Sequence, residues 1–405
     1  MKRFIGGALC HGGGGLPEII AAFLKLGCLS FGGPIAHLSY LRAEFVERRK
    51  WLDDAHYADL VALCQFLPGP ASSQVVFALG MQRAGLLGAL CASASFTLPS
   101  AVLMIAFAYG VAAVGALAGA AWVHGLKLAA VAVVAQAVWG MGVRLCPDRA
   151  RLTICIASAA LLLALPGAAA QVALIGAGGV AGWWIFRRTI SPVALPIEPD
   201  AWGRHPFAIG AQVSFILLLV LPPVLSEALQ TRWLDVFSAF YRAGALVFGG
   251  GHVVLPLLRA EVVPSGWLTN DQFLAGYGAA QALPGPLFTF AAYLGAAMSP
   301  GPNSWVNGLW CLFAIFLPAW LLIGGALPFW HKLRATQWAQ AALAGANAAV
   351  VGELLAALYN PVITEGVRTQ KDVVAALVAF GLLEFWEAPP WLVVVGMAFA
   401  GELLL

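Results

Sequence analysis

The fold is decided by two short stretches, Phe31-Gly32-Gly33-Pro34 and Gln65-Phe66-Leu67-Pro68-Gly69-Pro70, because both occur again in the second half of the chain. They return as Phe248-Gly249-Gly250-Gly251 and Gln281-Ala282-Leu283-Pro284-Gly285-Pro286. The segment between the two motifs is also repeated. In it, Leu41-Arg42-Ala43-Glu44 matches Leu258-Arg259-Ala260-Glu261, and Trp51-Leu52 matches Trp267-Leu268. Chance does not reproduce such a series, so the chain is an internal duplication.

The composition is that of a membrane protein. Hydrophobic residues make up 61% of the chain and charged residues only 10%, whereas an ordinary soluble domain is about 25% charged. Uncharged runs such as residues 207–225 and 306–327 have the length of about 20 residues that a membrane-spanning helix needs. We therefore expect an all-α polytopic membrane protein with about 10–13 membrane segments. A duplication with paired Gly/Pro breaks in such a protein indicates a transporter whose site lies between the repeats.

Other classes of function receive little support from the sequence. The net charge of +3 does not indicate a nucleic-acid partner. The seven cysteines form no CxxC pair, so we expect no disulfide framework, no metal site and no cofactor. The HExxH and GxSxG motifs that would indicate a hydrolytic enzyme do not occur. We predict that the protein is not an enzyme.

The duplication divides the chain into three parts. We place the first repeat at residues 1–190, a linker with a membrane segment at 191–229, and the second repeat at 230–405. The loop after the first Phe-Gly-Gly motif contains Arg42, Arg48, Arg49 and Lys50, whereas its counterpart contains only Arg259. Because Lys and Arg accumulate in cytoplasmic loops, we expect the two loops on opposite faces and the repeats in inverted topology.

The Gly/Pro motifs are predicted to break helices at membrane depth. Glycine and proline are costly inside a helix, and irregular backbone in a membrane must be buried in protein or line a wet cavity. The new helix N-termini would offer N–H groups to an anion. The alternative is a kink, close helix packing or a plain turn. Around the breaks the candidate substrate-binding residues are Ser30, Gly32, Gly33, His37, Gln65, Gly69, Ser72, Gln74, Gly249, Gly250, His252, Gln281 and Gly285.

Charged residues inside apolar segments form the second group of candidates, because charge in a membrane is costly and usually functional. Lys25 and Lys127 are predicted to attract an anion, and Asn347 aligns with Lys127 in the repeat. Glu353 is either a proton carrier or a structural counter-ion. Arg42 with Glu44, and Arg259 with Glu261, recur in both copies as salt-bridging residues or as a gate. Arg83 and Arg242 either reach the membrane interface or serve the site.

These motifs together resemble the chromate ion transporter family in its two-domain, long-chain form, and the likeness covers nearly the whole chain. It rests on residues 31–37, on residues 42–49, on Trp51-Leu52, on residues 65–70 and on residues 248–252. The resemblance implies a multi-pass protein of the bacterial inner membrane with two halves of opposite topology. It implies export of chromate, driven by the membrane potential or a proton gradient, and hence chromate resistance. Sulfate or another oxyanion remains open as the substrate, and an anion channel remains open as the mechanism. A homodimer remains open as the assembly state.

Overall fold

The computed structural model describes residues 15–31, 33–114, 121–188, 205–248, 251–298, 304–329 and 336–404, and this part of the chain is helical without strands. In chain order the helices are α1 Leu16–Leu29, α2 Gly33–Arg42, α3 Asp54–Phe66, α4 Ala71–Val114, α5 Ala121–Leu145, α6 Arg149–Ala164, α7 Ala168–Phe186, α8 His205–Leu229, α9 Arg232–Ala245, α10 Val254–Val262, α11 Asn270–Ala282, α12 Phe290–Ala297, α13 Trp305–Ala326, α14 Gln337–Ala357, α15 Gln370–Glu384 and α16 Pro390–Leu404. Short 3₁₀ turns at Gly251–Val253 and Leu287–Thr289 lead into α10 and α12.

Helices break where the sequence predicts, at both pairs of Gly/Pro motifs. The first motif separates α1 from α2, and its copy separates α9 from the turn before α10. The Pro-Gly-Pro motifs lie between α3 and α4 and between α11 and the turn before α12. Pro70 and Pro286 stand immediately before these new helical segments.

The helices after the connecting loops begin with equivalent caps in the two halves. The Asp53 side chain accepts the backbone N–H of His56 at the start of α3, and this hydrogen bond lowers the pKa of Asp53. Thr269 caps α11 in the same position and forms a capping box with Gln272. These caps satisfy N–H groups that an uncapped helix would leave without a partner.

Helix α4 is a hairpin, because its backbone leaves the helical conformation at Ala84 and Gly85. The two arms pack through Gly80 and Gly88, where a Cβ atom would collide with the backbone of the opposite arm. In the second half, α12 and α13 correspond to these arms. A Cβ on Gly295 of α12 would likewise lie 2.5 Å from the Asn307 carbonyl oxygen of α13.

The two halves interlock through reciprocal contacts. Helix α5 packs against α16, and its counterpart α14 packs against α7. Both contacts close through glycine: Gly125 of α5 lies against the backbone of Met397 and Gly401, and Gly345 of α14 lies against Gly178 and Gly182. An arrangement in which each half makes the same contact to the other is that of a two-fold pseudo-symmetric pair.

Six helical stretches are long and apolar enough to cross a membrane in the described part of the chain. They lie in α4, α5, α7, α8, α13 and α14, and shorter apolar helices occur at Leu287–Ala297 and Pro390–Glu402. Helix α4 is a hairpin, and several other helices are much shorter than a membrane span. A count of helices therefore does not give the number of membrane segments, which stays a prediction. So do the boundaries of the two repeats and their opposite orientation.

Candidate functional site: two crossed helix breaks

The helix breaks of the two halves meet in pairs. The N–H of Gly69 donates to the carbonyl oxygen of Val247 at 2.6 Å, and the N–H of Gly285 donates to the carbonyl oxygen of Ser30 at 2.8 Å. Ser30 and Val247 are equivalent positions in the duplication, as are Gly69 and Gly285. Each Pro-Gly-Pro turn of one half therefore crosses the Phe-Gly-Gly break of the other.

Glycine is required at both crossings by backbone conformation as well as by space. Gly69 has φ of 119° and Gly285 has φ of 90°, a region that residues with a Cβ rarely adopt. A Cβ on Gly285 would lie 2.8 Å from the Ser100 hydroxyl oxygen, and one on Gly69 would lie 3.1 Å from the Ala319 Cβ. Ser100 and Ala319 each follow the proline of the matching Leu-Pro pair, so the packing around the two crossings is also equivalent.

The crossing at Ser30 carries the more polar surroundings. The Nε2 of His37 lies 3.0 Å from the Ser30 carbonyl oxygen, and its Nδ1 lies 3.4 Å from the Ser72 hydroxyl oxygen. With Nε2–H as the donor to the carbonyl, a neutral ring presents Nδ1 as an acceptor to Ser72. Both His37 and Ser72 are buried.

Several buried polar atoms near the breaks have no hydrogen-bond partner among the described residues. They are the Ser30 and Ser73 hydroxyls, the Gln74 Oε1 and the Gln281 Nε2. The Gln74 amide nitrogen donates to the Pro68 carbonyl oxygen at 2.8 Å and so supports the first Pro-Gly-Pro turn. Burying a polar group without a partner is unfavourable. Of these groups, the Ser30 and Ser73 hydroxyls and the Gln281 amide nitrogen can donate to an anion, as can the first-turn N–H groups of α4, which lack intrahelical partners.

Lys127 lies in an ion pair instead of at the crossings. Its ammonium nitrogen is 2.5 Å from the Asp271 carboxylate at the start of α11, and the lysine side chain is almost fully buried. Lys25 lies on the outward face of α1, beside exposed Leu24 and Leu29. Of the two predicted cations, the structure therefore brings neither to the crossed breaks.

Glu353 is fully buried in α14, and neither of its carboxylate oxygens has a partner in the described part of the chain. The alternative that it is the counter-ion of a lysine therefore receives no support. Asn347, two turns earlier on the same helix, is half-buried with its side-chain oxygen also without a partner.

The recurring Arg and Glu residues form polar contacts, but not with each other. Arg42 binds Glu47 and Asp54, whereas Glu44 binds Arg48 and Arg49. In the second half Arg259 donates to Asn270, and Arg242 holds Glu261 through two hydrogen bonds. Arg42, Glu44 and Glu261 therefore form salt bridges, as the sequence predicts, with partners outside their own motif, because residues two apart on a helix point to different sides.

Four further predicted residues have other positions. The His252 Nδ1 lies 2.8 Å from the Tyr277 hydroxyl, whereas the His37 Nδ1 faces the hydroxyl of Ser72. Gln65 is exposed at the end of α3, and Gly33 begins α2 with φ of 78°. Arg83 is half-buried, with its guanidinium over the Trp51 ring and near Glu18. Gly32, Gly249 and Gly250 lie outside the described residues.

The sequence did not single out the acidic partners of α5. The His124 Nε2 lies 2.8 Å from the Asp372 carboxylate, whose other oxygen accepts the backbone N–H groups of Arg368 and Thr369. Asp271 and Asp372 stand in the first turns of α11 and α15, where an acidic residue is ordinarily explained by the helix dipole. That Asp271 and Asp372 also bind Lys127 and His124 of α5 becomes visible only when the position of α5 is known.

The chain is similar to known proteins over most of its length. The family model described as "Chromate transporter" matches residues 17–183 and 234–402. The "Chromate transport protein" of Pseudomonas aeruginosa is 30% identical over 83% of this chain and 78% of its own length. The "Probable chromate transport protein" of Synechococcus elongatus is 27% identical over 95% of both chains. The "Chromate transport protein" of Cupriavidus metallidurans is 27% identical over 95% of this chain and 92% of its own.

No solved structure matches the chain. The family match falls once on each half, on either side of α8, and the helix breaks that cross lie inside both matched regions. The polytopic helical fold, the duplication and the sequence match agree. This chain belongs to the chromate transporter family.

Proposed function

We propose that the protein is a secondary active exporter of oxyanions, with chromate as the substrate, in the bacterial inner membrane. The observation that carries this proposal is the reciprocal crossing of the helix breaks, Gly69 on Val247 and Gly285 on Ser30. Transporters built from repeats bind their substrates between discontinuous helices at the repeat interface. Names of the relatives point to chromate as the anion.

The chemistry of the crossing suits a tetrahedral oxyanion. Such an anion offers acceptor oxygens in several directions, and donors to a charged group make the stronger hydrogen bonds. The hydroxyls of Ser30 and Ser73 and the Gln281 amide lack other partners among the described residues. The N-terminus of α4 adds N–H groups and a positive dipole end. The site therefore recognises charge through hydrogen bonds, since neither Lys25 nor Lys127 lies at the crossings.

The membrane potential favours export of an anion from an inside-negative cell. It contributes about 2.3 kcal/mol per charge per 100 mV, so a dianion needs no second ion to leave. Coupling to protons would require a group that takes up and releases a proton during the cycle. Glu353, buried and without a partner among the described residues, is the residue that we assign to this role. We infer that export confers chromate resistance and that the two halves have opposite topology.

The test is uptake of labelled chromate into energised inside-out vesicles. We expect accumulation in vesicles that contain the protein, and inhibition by excess sulfate because both anions are tetrahedral. Collapse of the potential alone should abolish uptake if the potential drives it, whereas Glu353→Gln should abolish it if protons do. Vesicles with folded protein and no energy-dependent uptake would refute the chromate assignment.

A matched control uses Gly285→Ala at the crossing and Gly266→Ala in a loop. Gly266 also has a positive φ, of 68°, but a Cβ there meets no atom within 4 Å. We expect only the first variant to lose uptake. Equal uptake by both variants would show that the crossing is not the transport site.

A further inference from the structure

The two halves repeat most of each other's contacts, but the contacts of α11 with α5 and α16 have no equivalent of similar extent among the described residues of the first half. Helix α11 packs closely against α5, but their counterparts, α3 and α14, make no comparable contact within the described residues. We refer to the α5–α11 contact as the closed seam and to the α3–α14 pair as the open seam. The pseudo-symmetry of the molecule is therefore broken at this contact, which is closed on one side and open on the other.

The closed seam is held by close packing and an ion pair. A Cβ on Gly278 of α11 would lie 2.6 Å from the Leu126 carbonyl oxygen of α5. The next residue of α5, Lys127, binds Asp271. Leu274, between Asp271 and Gly278 on the same face of α11, is fully buried. This face of α11 is therefore covered by α5 along its length.

The equivalent face of α3 is uncovered. Ala55, Ala58, Ala62 and Gln65 occupy the positions of Asp271, Leu274, Gly278 and Gln281, and all four are exposed. Helix α14, the counterpart of α5, presents Asn347 where α5 presents Lys127. The open seam thus has neither the packing nor the ion pair of the closed one.

Lipid is a poor cover for this face of α3. Helices that face a bilayer expose large apolar side chains, as α8 does with Ile209, Ile216 and Val220. No large hydrophobic residue of α3 is exposed. Its face of alanines and one glutamine is instead of the kind that lets a second helix approach closely. The position of α5 on α11 identifies that second helix as α14.

We propose that the two seams close alternately, and that the Lys127–Asp271 ion pair is the latch of the seam that is closed here. In the alternate arrangement α14 covers the alanine face of α3, while α5 separates from α11 and the ion pair breaks. This inference rests on the proposed transport function, because alternate closure of seams that flank the crossed breaks would expose the site first to one side and then to the other. Lys127 is a positioning residue in this scheme.

Cysteine accessibility tests the seams at repeat-equivalent positions. Ala58→Cys and Leu274→Cys form one pair, and Gln65→Cys and Gln281→Cys form a second that opens no cavity. Each variant is treated in permeabilised membranes with a charged, water-soluble methanethiosulfonate, which requires an ionised and hydrated thiol. The unsubstituted chain, with exposed Cys28 among its own thiols, serves as the blank. If the alternate state is populated at 10% or less, the α3 cysteines should react at least about tenfold faster than the α11 cysteines.

The latch is tested by adding Lys127→Ala to each cysteine variant. We expect labelling to rise at Leu274→Cys and Gln281→Cys and to fall at Ala58→Cys and Gln65→Cys. Lys127→Arg should keep the original pattern, and exchange of the two charges in Lys127→Asp with Asp271→Lys should restore it. Opposite changes at the two seams distinguish a shift between two states from a general loosening, which would raise labelling everywhere.

Three outcomes would overturn the proposal. They are equal labelling of α3 and α11, unreactive cysteines at both α3 positions, and a rise at all four positions when Lys127 is removed. Labelling does not depend on which anion the protein moves. Failure of chromate uptake with the expected labelling would therefore reject the substrate alone, whereas uptake with uniform labelling would reject the alternating seams alone.

Discussion

Helices α11 and α3 are copies of one ancestral helix in two different settings. α11 lies under α5 and buries Leu274, whereas α3 leaves the equivalent Ala58 exposed. Exchanges at this contact include Asp271 for Ala55, Gly278 for Ala62, and Lys127 for Asn347. A strictly symmetric pair of repeats would have two arrangements of equal free energy. The comparison teaches that this chain favours one arrangement through a handful of side chains, while the crossed breaks have stayed alike.

The largest expected effect concerns contacts that the halves share. Gly125→Ala and Gly345→Ala each place a Cβ against the backbone of a facing helix, and such overpacking costs about 1–3 kcal/mol or more. We expect both variants to lose folded protein to the same extent in detergent thermal-unfolding measurements. Gly142→Ala, on α5 with open space around it, should unfold no earlier than the parent. Tolerance at one of the two sites would mean that the halves are not equivalent there.

The next effect compares the two crossings. Gly69→Ala and Gly285→Ala impose a backbone strain of about 1–2 kcal/mol, and both disturb the hydrogen bonds between halves. We expect each to lower vesicle uptake about tenfold or more, the equivalent of about 1.4 kcal/mol in barrier. The crossing at Ser30 is the more polar, so Gly285→Ala should have the larger effect. A larger loss of uptake in Gly69→Ala would instead place the anion nearer to the crossing at Val247.

The third effect compares Lys127 with its repeat partner Asn347. Lys127→Ala removes a buried ammonium group from an ion pair, and we expect transport to be abolished while the amount of protein in the membrane is unchanged. Asn347→Ala should reduce transport less, because Asn347 has no ion pair to lose. Quantitative immunodetection beside the uptake assay separates transport from expression. Full transport by Lys127→Ala would remove this lysine from the cycle.

The smallest effect is expected where the halves differ in charge but not in geometry. Arg42 binds Asp54 as Arg259 binds Asn270, so Asp54→Asn gives the first half the polar contact of the second. Because the side chains of Arg42 and Asp54 are both exposed, we expect at most a small shift in the thermal-unfolding midpoint. A larger loss on thermal unfolding would show that this surface pair carries a role that its counterpart lacks.

The sequence predicts the breaks well because the physics of glycine and proline is local. Helices end at Leu29, Phe66 and Ala282, next to the repeated motifs. Even the relation between Ser30 and Val247 can be read from the duplication. What the sequence cannot show is that these equivalent positions touch the opposite half, since that depends on how the two halves pack.

The ion pairs of α5 could not be predicted for a similar reason. Lys127 and Asp271 are 144 residues apart, and an acidic residue at the start of α11 has a sufficient local explanation in the helix dipole. Lys127 therefore resembled an unpaired cation available to an anion. Salt bridges of Arg42 and Glu44 could be predicted from the sequence, but their partners could not, since Arg42 binds Asp54 from the next helix.

The interlocked glycine contacts have a consequence for the synthesis of the chain. Gly125 of α5 has its partner in α16, at Met397 and Gly401, and Gly345 of α14 has its partner in α7. The first half emerges from the ribosome with the small-residue face of α5 still uncovered, and α16, which is made more than 250 residues later, is the helix that covers it. Insertion into the membrane must therefore precede final packing, and a nascent chain that stops before α16 leaves the small-residue face around Gly125 uncovered.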